Sequence, residues 1–178
     1  MINDYEATQP IVPGTEPASK LSNDDVISTL NGLIEICKDG MEGFKTAGED
    51  VERSDLKSLF YEFSQQRARF FGELQSLVQG LGGDPEKSGS FAGAVHRGWM
   101  DLKSALMSKD EAAILNECER GEDAARNAYK EALQSGLPSN VVSVLQDQYA
   151  SVQAAHDRVK ALRDAANKDK STSASTGR

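Results

Sequence analysis

Four stretches of this chain repeat apolar residues every three or four positions for about seven turns each, and no stretch shows the strict alternation of a half-buried strand. That period puts one narrow apolar stripe on each of four long helices, and stripes of that length are buried by packing the helices side by side. The first runs Val26, Leu30, Leu33, Cys37, Met41, Phe44, Gly48, opening at Ser22 or Asn23, whose side chains cap free amides, with Asp24 and Asp25 favoured by the helix dipole. The second follows Ser54-Asp55 with Leu56, Phe60, Phe63, Arg67, Phe70, Leu74, Leu77 and Leu81, and stops at Gly82-Gly83-Asp84-Pro85. The third carries Leu115, Cys118, Glu122, Ala125, Tyr129 and Ala132. Ser108 stands three residues before Glu111, the spacing of a capping box at its start, and Gly136-Leu137-Pro138 ends it. The fourth, with Ser139 as its expected cap, carries Val141, Leu145, Gln148, Val152, Ala155, Val159, Leu162 and Ala166.

Between the second and third stripes, a Gly89-Ser90 loop introduces Phe91, Val95, Trp99, Leu102 and Leu106, a shorter amphipathic segment that reads as a cross-over helix. The expected fold is therefore all-α: two antiparallel hairpins of long helices joined by a long connection, the topology of a ferritin-like antiparallel four-helix bundle. The bundle domain spans 21–166. Residues 1–20 hold three of the five prolines and 167–178 are small and polar, so both are expected to be disordered tails.

Composition narrows the function. A net charge of −8 and the lack of a basic stripe interleaved with aromatics argue against nucleic acid as a partner. No apolar run approaches the roughly 18 residues of a spanning helix, and the opening MINDYEATQP has neither a basic n-region nor an apolar h-region. Membrane insertion and secretion are not expected, and a cytoplasmic location is. Cys37 and Cys118 have neither metal-ligand spacing nor the pattern of a secreted disulfide framework. No G-x-S-x-G elbow or P-loop is present.

The informative residues are the polar ones on apolar stripes. Arg67 sits at the centre of the second and Glu122 at the centre of the third, and aligned helices bring them level with Gln148 and His156 as a central polar layer. Two arrangements fit: long side chains at the stripe edges snorkelling to water, or a buried Arg67–Glu122 ion pair that sets helix register. A polar layer in a bundle raises the question of a di-iron centre, which needs an E-x-x-H on each of two helices. His96 follows Gly93 and His156 follows Gln153 at that spacing, so no E-x-x-H exists, and at Glu62-Phe63-Ser64-Gln65 an amide replaces the imidazole. Glu35, Glu119, Glu122 and His156 remain as candidate ligands of a partial site, against the repulsion of Arg67. No cofactor is expected, with iron or manganese as the alternative. The small residues Gly40, Gly43, Ala47 and Gly48 on the first helix point to close packing, since glycine costs about 1 kcal/mol in a helix interior.

The segments ICKDGMEGFKTAGEDV, LFYEFSQQRARFFGEL, GGDPEKSGSFAGAVHRGWMDLK, ERGEDAARNAYKEAL and QAAHDRVKALRD, in this order, resemble the bacterial DUF2383 family of four-helix-bundle proteins, grouped with the ferritin-like superfamily. Arg67, Gly121-Glu122-Asp123 and His156-Asp157 belong to that pattern. The resemblance implies a ferritin-like bundle without an established activity, among relatives that include stress-associated proteins and iron-oxidising or peroxidase enzymes. Di-iron ligands do not carry over, because both E-x-x-H positions fail. The expectation is a non-catalytic structural or interaction protein, a homo-oligomer or the binder of a protein partner, with a metal-dependent redox protein as the alternative.

Overall fold

The structure, a computed structural model, describes residues 21–85, 99 and 101–176. The described residues form α1 (Asn23–Asp50), α2 (Ser54–Gly80), α3 (Leu102–Met107), α4 (Glu111–Gln134) and α5 (Ser139–Thr176), with no strand among them. None of these helices is long and apolar enough to cross a membrane. Residues 1–20, the Gly89-Ser90 loop, Phe91 and Val95 lie outside the described residues.

Local chemistry sets most of the boundaries. Ser22 caps α1 in a full capping box, its side chain accepting from the Asp25 N–H while the Asp25 carboxylate takes the Ser22 N–H. α2 ends where Gly82 turns to φ +77°, a left-handed conformation that glycine adopts without a Cβ clash. The start of α4 differs from the expected capping box. Asp110 is the cap, accepting from the Ala112 and Ala113 N–H groups, while Ser108 closes α3. A carboxylate two residues from the free amides reaches them directly, so Glu111 is left as the first helical residue. Ser139, expected as a cap, is likewise already helical, and the Val142 N–H donates to the Pro138 carbonyl before it.

Two core clusters fix the topology. One joins Leu30 and Leu33 of α1, Leu74 and Val78 of α2, Tyr129 and Ala132 of α4 and Leu145 and Val152 of α5. The other joins Phe44, Phe60, Leu115, Cys118 and Val159 with Leu102 and Leu106 of α3. Each long helix runs from one cluster to the other, so α1 and α2 form one antiparallel hairpin and α4 and α5 another. α1 packs antiparallel on α4, whereas α2 and α5 scarcely touch. α2 and α4 run parallel, so Gly80 and Glu111 lie at opposite ends of the bundle, and α3 packs against the second cluster.

The last helix extends ten residues beyond the boundary expected at 166. Ala166 is the final residue packed on the core, and residues 167–174 are helical yet exposed, touching the bundle through an ion pair of Lys170 with Asp110. The segment NKDKSTSAST holds few good helix formers beyond its two lysines and one alanine, and it continues an existing helix, in which nucleation is already complete.

Candidate functional site

The centre of the bundle is closed by Arg67 and Glu122, each 1% exposed. Arg67 Nη2 lies 2.7 Å from Glu122 Oε1 and 2.6 Å from Oε2, joining two parallel helices across the bundle. Arg67 Nη1 donates to Gln66 Oε1, and its charged carbon stands 5.7 Å from the Phe70 ring centroid. Nε alone lacks a hydrogen-bond partner. Of the two arrangements open to these residues, the structure has the buried pair. Burial opposes the charge on Arg67, and the adjacent Glu122 carboxylate together with Cys37 and Tyr129 more than offsets this, holding the guanidinium above its ordinary pKa. On the Glu122 carboxyl burial pushes upward and Arg67 pulls back. We take the pair as ionised, because a guanidinium does not give up its proton in a protein and would otherwise be left buried without a counter-charge.

Glycine makes room for this arrangement. A Cβ on Gly40 would stand 3.3 Å from Arg67 Cγ. On Gly43 and Gly121 it would fall 2.4 and 2.3 Å from the Trp99 ring, so α1 and α4 clamp the indole between two glycines, with Phe44 edge-on at 5.1 Å. The close packing expected of these glycines is thus mainly packing against large side chains. Gly48, whose Cβ would stand 3.5 Å from the Lys57 carbonyl, is the one that brings α1 close to the α2 backbone. Trp99 retains partial exposure.

Gln148 is buried with the layer but belongs to a separate chain of hydrogen bonds. Tyr129 Oη donates to Gln148 Oε1 at 2.8 Å, and Gln148 Nε2 donates to Glu73 Oε2 at 2.7 Å at the surface. Cys37 Sγ lies 3.3 Å from Tyr129 Oη, and with that hydroxyl's proton directed to Gln148 the thiol is the donor. Burial pushes the Cys37 thiol up to about 11, and Cys118 and Tyr129 are pushed well above their ordinary values by the same cause. These cysteines are protonated hydrophobes rather than nucleophiles.

His156, 4% exposed, lies on the α4/α5 rim. Its Nε2 is 3.0 Å from Asp123 Oδ1 and its Nδ1 is 3.1 Å from Asp157 Oδ1. Arg126 stands 3.2 and 3.3 Å from the two ring nitrogens and donates to Asp123 at 2.9 Å. Glu119 joins them, with Arg163 Nη1 2.6 Å from its Oε2 as an ion pair not aligned as a hydrogen bond. Asp123, Glu119 and Glu117 face a cleft of about 620 Å³ also lined by Asp101, Arg120 and Arg163.

The proposed ligands therefore separate. Glu122 is committed to Arg67, and Glu35 is half-buried on α1 and outside the only Glu/Asp/His/Cys group of metal-binding dimensions among the described residues. Glu62 and Gln65 face solvent. Glu119 and His156 do meet, and the partner missing from the sequence reading is Asp123, four residues beyond Glu119 and so on the same helical face. A two-metal centre does not fit: its central position holds a guanidinium, and among the described residues no second carboxylate–histidine set faces the first.

A family model described as a domain of unknown function, DUF2383, matches residues 25–135. The chain belongs to the DUF2383 family. No curated protein matches it. The matched segment of this DUF2383 protein contains Arg67, Glu122, Asp123 and the clamping glycines, and ends before α5, which contributes Gln148 and His156.

Proposed function

We propose that this is a non-catalytic structural or interaction protein of the cytoplasm, a ferritin-like bundle in which an internal ion pair takes the place of a metal centre. The observation that carries the proposal is the Arg67–Glu122 pair, 1% exposed on both sides and centred between the two apolar clusters. A buried pair stabilises little beyond a well-packed apolar core, and its attested use is to specify register. The parallel α2/α4 diagonal supports the ferritin-like assignment. The protein's surface then serves self-association or a protein partner, and a stress-response setting follows from the family resemblance.

The test is the double variant Arg67→Met/Glu122→Leu of the full chain. It is expected to stay helical and about as stable as wild type while amide spectra show more than one packing arrangement. A single sharp set of resonances would overturn the register role. Oxygen or peroxide consumption by iron-loaded wild type would overturn the non-catalytic part and favour the redox alternative.

A further inference from the structure

The rim cluster on α4 and α5 stands apart from the central pair. One donor atom each from Glu119, Asp123 and His156 lies within 4.8 Å of the others, and the 3.0 Å between His156 Nε2 and Asp123 Oδ1 is the edge length of a shared coordination shell. α4 places Glu119 and Asp123 one turn apart on one face, and α5 brings in the imidazole.

Two further observations point to a cation. Glu119 is 8% exposed and its Oε2 accepts no hydrogen bond; Glu117, 6% exposed and lining the same cleft, also has an Oε2 without one. Each carboxylate is met by one arginine, Arg163 at 2.6 Å from Glu119 and Arg120 at 3.2 Å from Glu117, and a metal ion would satisfy the acceptor capacity that these ion pairs leave unused. His156 is also flanked on both sides by carboxylates. If Nδ1–H is donated to Asp157, the lone pair of Nε2 faces the Asp123 carboxylate, and the donor beside it is Arg126 Nη1 at 3.2 Å. An ion between Nε2 and Asp123 would take the place of that guanidinium contact, and an imidazole whose other nitrogen donates to a carboxylate is the usual outer shell of a metal-bound histidine.

We propose that Glu119, Asp123 and His156 bind a single divalent transition-metal ion, with Asp157 orienting the imidazole. The imidazole selects against calcium and magnesium, and two carboxylates with one nitrogen suit zinc, manganese or ferrous iron. Arg126 and Arg163 contact the same donor atoms and compete with the ion. Both are partly exposed, and Arg163 already has a second partner in Asp164, 2.7 Å away. The site shares no residue with the Arg67–Glu122 pair, so its failure leaves the register proposal untouched.

Cobalt(II) is the probe, titrated into chelator-treated full-length protein and followed by its visible absorption and by calorimetry. One equivalent is expected, with affinity lowered at least about tenfold by Asp123→Asn and by His156→Gln, about 10- to 100-fold by Asp157→Asn, and raised by Arg126→Gln. The Asp123 side chain is 44% exposed, so Asp123→Asn is expected to keep the fold and decides the matter even if His156→Gln does not. No cobalt uptake, or uptake unchanged in Asp123→Asn at an unaltered circular dichroism melt, would overturn the site.

Discussion

Glu122 and Asp123 are neighbours in sequence with the same charge, and the bundle uses them in opposite ways. Glu122 faces the axis, is sealed from water and is neutralised by one arginine that has nowhere else to go. Asp123, a 100° step around α4, meets the rim, where its 44% exposed side chain shares His156 with Arg126, an arginine itself partly exposed. The same chemistry becomes a structural lock where the dielectric is low and a exchangeable site where water enters. Coulomb attraction is stronger at the axis, but so is the desolvation that opposes it, and breaking either half there leaves a stranded charge.

That contrast is broken most directly by single substitutions on each side of it. Arg67→Met or Glu122→Leu alone is expected to cost about 3 to 5 kcal/mol, whereas Asp123→Asn should stay within about 1 kcal/mol of wild type. Urea unfolding of the three variants is the measurement, and equal costs at axis and rim would erase the distinction.

A second effect sharpens it from the interior side. The unfolded Cys37 thiol ionises near 9, whereas in the folded protein its proton is held to about 11. A raised folded pKa gives stability that is complete below the unfolded value and lost as pH rises through the folded one. Cys37 should therefore contribute a fall of about 2 to 3 kcal/mol between pH 9 and 11, with Cys118 and Tyr129 acting in the same direction. Cys37→Ala is expected to flatten that slope, and an unchanged slope would show that the thiol is not the group responsible.

The glycine clamp offers a smaller effect. Gly121→Ala places a methyl group 2.3 Å from the Trp99 ring; the overpacking cost, less the helix propensity gained, leaves a loss of about 1 to 2 kcal/mol and a red-shifted Trp99 emission. Gly72→Ala meets nothing within 4 Å and should stabilise α2 by up to about 1 kcal/mol. The reverse order of these two variants in thermal melts would mean that the clamp is looser than its geometry. Smallest of all is removal of residues 167–178. The described part of that extension is exposed, so unfolding free energy should change by less than about 0.5 kcal/mol, and a larger loss would show that it packs on the bundle.

How much of this was legible in the sequence follows from the range of each interaction. The helices, their stripes and the position of Arg67 and Glu122 at stripe centres are consequences of a 3.6-residue period, which local sequence carries in full. Capping was less legible, since Ser108 and Asp110 both satisfy the local rule and only the path of the chain from α3 decides between them. Whether Arg67 snorkels or pairs depends on the position of α4 some 55 residues away. The sequence supplied Glu119 and His156 as candidates but grouped them with Glu35 and Glu122. Their actual neighbour is Asp123, because the rotation of α4 about its own axis, set by packing against α1 and α5, chooses which carboxylate turns inward. Period and composition thus determined that this chain is a helical bundle with a charged residue at the centre of two of its stripes. Tertiary packing alone decided which charges meet, because a one-residue step around a helix exchanges core for solvent while leaving the pattern along the chain unchanged.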